Sequence, residues 1–313
     1  MIDRRKTLKL MALGSAAAIA SAAKAQSTAK SPTRLVFLGT KGGPRIDNGP
    51  SNPANLLMVN DTPFVIDCGM GVSRQLVRAG VPLSSVKYIF ITHHHSDHNL
   101  EYGNLVYNAW ATGLSTPVYS FGPVGIEAMT RTYWELNRFD VETRIADEGR
   151  PDPRPLLIAK DITEGVVLQT PDVRVTAFRT PHPPIVDNFA YKFETPDGVI
   201  VFSGDTAYNP KLAEFAKDAD VLVHEALYLP WVDRLVARTR NGATLKKHLL
   251  DSHTAAEDVG RIADAASVKV LVMSHLVPGD LDVSDDDWSN EARKNFKGRI
   301  VVARDLKELK LPV

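Results

Sequence analysis

Cysteine is almost missing from these 313 residues: the single one, Cys68, cannot form an intrachain disulfide, so an oxidising compartment is neither required nor excluded. Net charge is missing too. The 37 Lys and Arg balance the 37 Asp and Glu, and no basic stripe marks a polyanion track, which speaks against a nucleic-acid partner. No apolar run is long enough for a comfortable membrane span. Short-period repeats and low-complexity tracts are absent. What is there is globular: 44% hydrophobic and 24% charged residues, enough to bury the core of one large α/β domain.

Residues 1–25 read as a leader. A charged start (Arg4, Arg5, Lys6, Lys9) precedes a small-residue apolar run over 10–23, and Ala23-Lys24-Ala25 offers a cleavage site before Gln26. The Arg4-Arg5 pair resembles a twin-arginine signal. It implies passage through the twin-arginine export machinery, a periplasmic location and no membrane span after cleavage. Residues 26–32 read as a linker and 33–313 as the catalytic domain. Without the leader the chain carries roughly four net negative charges.

The domain alternates strand-like and helix-like segments. Strands are expected at 33–40, 55–59, 63–67, 86–92, 118–121, 166–169, 173–179, 189–195, 199–203, 221–224, 268–274 and 299–303. Asn60-Asp61 splits two apolar runs and signals a hairpin. Helical patterning covers 72–79, 100–111, 123–148, 212–217 and 255–266. An antiparallel first half followed by strand–helix alternation suggests a layered α/β sandwich. Aromatics in 123–155 (Tyr133, Trp134, Phe139) and in 227–250 (Tyr228, Trp231) stand either in helix cores or in a cap over the site.

The chemistry lies in HHHSDH, directly after the apolar run 86–92. His93, His95 and Asp97 are spaced by two, so an extended segment projects them to one side. His98 falls on the other, and a bend can aim the two subsets at adjacent metals. Imidazole with carboxylate favours zinc, with manganese or iron possible. His94 lies between ligand candidates and is expected to point away; His248 has no assigned role.

His93-His94-His95-Ser96-Asp97-His98 resembles the signature of the metallo-β-lactamase superfamily. His182 in RTPHPP, Asp205 in FSGDT and His275 in VMSHLVP follow in that family's order. The resemblance implies an αββα sandwich and two divalent metal ions, zinc foremost. One ion would be held by His93, His95 and His182, the other by Asp97, His98 and His275, with Asp205 between them. The Gly-rich stretch at 38–44, VIDCG at 65–69, His224-Glu225-Ala226 and Ser252-His253-Thr254 resemble the ribonuclease Z and arylsulfatase-like branch. That likeness assigns Glu225 and His253 a proton relay and lets Asp97 orient the attacking water or take its proton. The Gly-rich loop lacks the Gly-Lys-Ser/Thr ending of a nucleotide cradle. The expected function is an exported hydrolase acting on a small-molecule ester: a phosphodiester, an aryl sulfate or a lactone. An iron-dependent redox or dioxygenase protein on the same fold and a β-lactam hydrolase stand as alternatives.

Overall fold

The computed structural model describes residues 31–279 and 283–313. The leader at 1–25 and most of the linker fall outside these residues. Among those described, two seven-stranded sheets face each other. The first holds β1 (Arg34–Gly39), β2 (Ala54–Val59), β3 (Thr62–Ile66), β4 (Tyr88–Phe90), β5 (Val118–Gly122) and β6 (Leu157–Asp161), with β14 (Glu308–Lys310) beside β1. The second holds β7 (Gly165–Gln169), β8 (Arg174–Arg179), β9 (Phe189–Thr195), β10 (Gly198–Phe202), β11 (Val221–Leu227), β12 (Val270–Val277) and β13 (Arg299–Val302) in consecutive order. Each sheet joins an antiparallel part to a parallel part: β3 to β6 in the first, β10 to β13 in the second.

The apolar runs of the central strands β1, β3, β4, β11 and β12 are continuous because these strands are buried on both faces. In β1, Leu35 and Phe37 point between the sheets, where Phe64, Phe90, Phe193 and Phe202 meet them. Val36 and Leu38 point the other way, under helices Val72–Arg78, Tyr102–Ala111, Ile126–Leu136 and Arg138–Glu148. In β12, Val270 and Val272 face inward. Leu271 and Met273 lie under helices Pro210–Phe215, Ala256–Ala265 and Asp285–Arg293. The result is the four-layer αββα sandwich. The hairpin at Asn60-Asp61 forms as the sequence suggests, both residues having positive φ (46° and 62°), the combination a two-residue turn of this hand requires.

Several elements differ from the pattern-based expectation. The helical stretch 123–148 is two helices meeting at Asn137. Strand β6 follows the Pro-rich loop where none is expected: its burial alternates, but its sequence LIAKD runs from apolar to charged without alternating. Residues 227–250 contain two helices, Leu229–Ala237 and Gly242–Ser252, which make a small apolar cluster of their own with Val277.

Candidate metal centre

Strand β4 delivers HHHSDH to the edge of the sheets. His93 and His95 are still extended and lie on one side, with ring centroids 4.8 Å apart. His94 turns away: one of its ring nitrogens lies 3.3 Å from the Pro123 carbonyl and the other 3.2 Å from the Asn99 amide nitrogen. The expected bend is a helix start. His95 is the cap of the short helix Ser96–Asn99, whose rotation of about 100° per residue carries Asp97 and His98 round to a second locus.

The distant residues meet them there. His182, in the loop after β8, brings its Nε2 within 3.1 Å of His95 Nδ1, while His93 Nε2 is 3.0 Å from that same nitrogen. Three nitrogens around one zinc ion at about 2.0–2.1 Å would stand about 3.3 Å apart, close to this spacing. Asp205 follows β10. Gly204 before it has φ +60°, and a Cβ there would lie 2.8 Å from the Phe189 carbonyl oxygen, so only glycine suits this turn. Asp205 reaches both loci: Oδ2 lies 3.9 Å from His93, 4.0 Å from His182 and 3.1 Å from His275, and Oδ1 lies 3.4 Å from His98. Asp97 Oδ2 is 3.6 Å from His98 Nε2 and 3.5 Å from His275 Nε2.

His275 lies inside β12, not after it. It is the extra residue of a β-bulge, because Glu225 pairs with Ser274 and Ala226 with Leu276. A φ of 48° turns its ring toward the site. Glu225 likewise sits within β11. Its Oε1 accepts from the backbone N–H groups of Thr206 and Thr254, at 3.2 and 3.0 Å, and lies 3.2 Å from His253 Nδ1. The His253 ring stacks on His275 (5.6 Å, 18°). His253 also groups with Asp205 and His275 as a possible ligand set, besides the two sets His93, His95, His182, Asp205 and Asp97, His98, His275. His224 belongs to none of these sets; its Nδ1 donates to the Glu225 carbonyl.

Partners the sequence reading does not single out fix the rings. An ionised carboxylate only accepts, so His98 Nδ1 donates to Asp67 Oδ2 (2.8 Å) and turns Nε2 toward Asp97 and Asp205. His182 Nδ1 donates to the Ser252 carbonyl (2.8 Å), with the same consequence for its Nε2. The Gly43 N–H donates to Asp97 Oδ2 (2.9 Å). Asp67 lies in the VIDCG stretch quoted for its resemblance, but the sequence gives it no role at the site.

Burial pushes the His93, His95 and His182 rings below the ordinary histidine range, His95 to about 4. They are neutral, with lone pairs to offer. Burial acts the same way on His98 and His275 and is the largest single influence, but the carboxylates around them together outweigh it: Asp205, Asp67 and Asp97 at His98, Asp205 and Asp97 at His275. His98 is raised and His275 reaches about 10. For Asp97 and Asp205 burial pushes upward, and the facing imidazoles win, so both carboxyls are lowered. Asp205 Oδ1 and His98 Nε2 are buried and make no hydrogen bond among the described residues. A nest of three neutral imidazoles, two more held by carboxylates, and unsatisfied buried atoms fits a pair of divalent cations, which would take the place of the protons on His98 and His275.

A cavity of about 380 Å³ opens above the cluster. Leu235, Leu245, Leu249 and His248 line it from helices Leu229–Ala237 and Gly242–Ser252. Lys41, Arg45 and Arg238 stand in its wall; Lys41 is paired there with Asp47, so the net positive charge comes from the two arginines. The segment 123–155 is not part of the wall. Trp134 and Val141 pack into the helix layer on the first sheet, and Tyr228 and Trp231 pack against the helices of the second.

A sequence model of the Metallo-beta-lactamase superfamily matches residues 51–275. Ribonuclease Z of Mycobacterium marinum is 29% identical over 279 residues, covering 87% of this chain and 96% of that protein. The metallo-beta-lactamase fold protein YhfI from Bacillus subtilis superposes with a TM-score of 0.65 at 19% identity, over 89% of this chain and 100% of that one. The short form of human tRNase Z gives 0.64 at 18%, over 90% and 100%. Two expectations are corrected by these relatives. The exclusion of nucleic acid as a partner fails, since ribonuclease Z is named for cutting RNA and the human neighbour for tRNA. Whole-chain charge misled because it averages over the surface, while Lys41, Arg45 and Arg238 gather at the cavity. The periplasmic, exported placement is overturned likewise: the curated relatives are named ribonuclease Z, and nothing in their likeness to this chain supports export.

Proposed function

Because the chain belongs to the metallo-beta-lactamase superfamily, we propose that this metal-dependent hydrolase cleaves phosphodiester bonds in a ribonuclease Z-like reaction. His93, His95 and His182 would hold one ion and Asp97, His98 and His275 the other, with Asp205 between. Zinc suits this mixture of imidazole and carboxylate. When bound, two such ions would supply Lewis acidity, lowering the pKa of water and offsetting charge growing on the phosphoryl oxygens.

The protein's own groups do the rest. Asp97, fixed by the Gly43 N–H, orients the attacking water. Glu225 holds His253 through Nδ1; burial lowers that ring's pKa, but Glu225 and Asp205 together raise it above the ordinary histidine value. The pair favours the protonated ring beside the reacting centre, from which a proton can pass to the leaving oxygen, a step worth about 10²–10⁴-fold. Arg45 and Arg238 at the cavity wall suit an anionic substrate, and the leucines suit a ring carried by the leaving group. The single observation carrying the reading is that Asp205 stands within 4.0 Å of ring nitrogens from His93, His98, His182 and His275.

The test is metal analysis of the purified protein with turnover of bis(p-nitrophenyl) phosphate and a 3′-extended RNA hairpin, against an aryl sulfate, a lactone and a β-lactam. Two divalent ions per chain and phosphodiester cleavage abolished by chelation are expected. Turnover of a lactone, sulfate or β-lactam with neither phosphodiester cut overturns the substrate class. One iron per chain with oxygen uptake overturns hydrolysis itself.

A further inference from the structure

Asp305 lies in the turn between β13 and β14, far in sequence from every residue above and beyond the segment matched by the family model. Its carboxylate nevertheless grips both ends of the Gly-rich loop 41–50. Oδ1 accepts from Thr40 Oγ1 (2.9 Å), just before the loop. Oδ2 accepts from the Ser51 N–H (2.8 Å), just after it, and from Gln75 Nε2 (2.9 Å). Gln75 Nε2 also donates to the Leu38 carbonyl, tying the grip to β1. The neck is closed further by Lys41 N–H to the Ser51 carbonyl (3.0 Å).

What this neck holds is the edge of the candidate metal centre. Gly43 N–H meets Asp97 Oδ2, and the Gly43 carbonyl accepts from Asn52 Nδ2 (2.8 Å). Leu276 N–H donates to the Thr40 carbonyl and Gly42 N–H donates to the Leu276 carbonyl, at 2.9 and 3.1 Å. The loop therefore brackets the residue next to the bulged His275. A Cβ on Gly42 would lie 2.6 Å from the His275 ring, so loop and ring are in intimate contact. Lys41 and Arg45, on the same loop, stand in the cavity wall.

We infer that Asp305 is a positioning residue: by clasping Thr40 and Ser51 it sets where the loop places the Gly43 N–H against Asp97 and the Gly42 backbone against the His275 segment. Without it the Thr40 hydroxyl, the Ser51 N–H and the Gln75 amide would lose their shared acceptor, leaving the Lys41–Ser51 backbone bond to close the neck. Only the kinetic part of this inference rests on the proposed hydrolysis; the clasp is a statement about the loop.

The test uses full-length Asp305→Ala, Asp305→Asn and Thr40→Val, with Asp220→Ala as control. Asp220 also accepts a strand N–H, that of Val199, but lies in the second sheet away from the cavity. Asn can keep Oδ1 on Ser51 and Gln75 while its amide donates to Thr40 Oγ1, so Asp305→Asn is the rescue. Hydrogen exchange read by mass spectrometry is expected to quicken about tenfold in peptides spanning 40–52 for Asp305→Ala, and to stay near wild type for Asp305→Asn. On the phosphodiester, kcat is expected to fall about tenfold in Asp305→Ala with a smaller change in KM, since misplacement at the reacting atoms acts on kcat. Asp220→Ala is expected to lower Tm without this loss. Unchanged exchange over 40–52, or a kcat loss matched by Asp220→Ala at equal Tm, overturns the inference. If Asp305→Ala does not fold, Thr40→Val decides: it deletes one of the three bonds at constant shape, and unchanged exchange at the neck refutes the clasp. A wild type that cuts no phosphodiester would sink the function and leave the exchange result standing.

Discussion

Replacing Asp67 by Asn separates the support of one ring from the fold around it. Asp67 has φ 63°, a region Asn tolerates well, and Asn keeps its shape. The oxygens have different duties. Oδ1 accepts from Thr92 N–H (2.8 Å) and Oδ2 from His98 Nδ1 (2.8 Å). An amide in either orientation loses one of them. With Nδ2 toward His98, donor faces donor, and the ring is driven to the tautomer with its proton on Nε2, the atom that would face the ion. With Nδ2 toward Thr92, a buried N–H is left without an acceptor. Loss of such an outer partner costs a histidine ligand about 10–100-fold in metal affinity, or about 1.4–2.8 kcal/mol. Zinc titration in competition with a chromogenic chelator is expected to weaken the site of His98 by that factor and the other site less, because Asp67 touches His98 directly and reaches His93 only through Thr92 Oγ1, 3.0 Å from His93 Nδ1. Two tight sites within twofold of wild type would refute the tautomer argument. Equal weakening of both would refute the division into two ligand sets.

Two further outcomes follow from the same geometry. His253→Ala is expected to retain two ions and lose about 10²–10⁴ in kcat, read by metal analysis beside turnover; loss of an ion with the ring would instead make His253 a ligand, as its grouping with Asp205 and His275 permits. Stability of the chelator-treated protein depends on pH through rings shifted in opposite directions. His275 is raised to about 10, so its contribution is full below the unfolded value of about 6.5 and is lost as pH rises toward 10. His95 is lowered to about 4, so the unfolded chain binds the extra proton, and stability is lost as pH falls from about 6.5 to 4. Thermal melts with chelator are thus expected to peak between, and metal loading at pH 7 to release about one proton each from His98 and His275. A melt temperature rising steadily from pH 6.5 to 10 would contradict the sign.

How much of this was legible depends on range. Strand alternation and the Asn60-Asp61 turn are local, and both are realised. HHHSDH displayed its two-residue spacing directly. The ends of elements were less readable. His275 and Glu225 lie inside strands, because a bulge, not a strand terminus, turns the histidine inward, and hydropathy does not register a bulge. Asp67 and Gly43 stand in stretches quoted for their resemblance, but neither they nor Asp305 receive a role from the sequence, for another reason. Their importance lies in hydrogen bonds to residues remote in sequence, and such pairings leave no periodic trace. The charge of the cavity escaped for a third: a sum over the chain cannot reveal where three cations gather.

The ligand candidates are divided between the sheets. His93, His95, Asp97 and His98 follow a strand of the first, whereas His182, Asp205 and His275 come from the second. Neither half of the chain owns a complete cation site, so a captured ion acts as a rivet through the seam of the sandwich. Stripping it would leave facing carboxylates and imidazoles to hold the rim shut by protons alone, and the mouth of the barrier between halves would become the place where thermal opening begins.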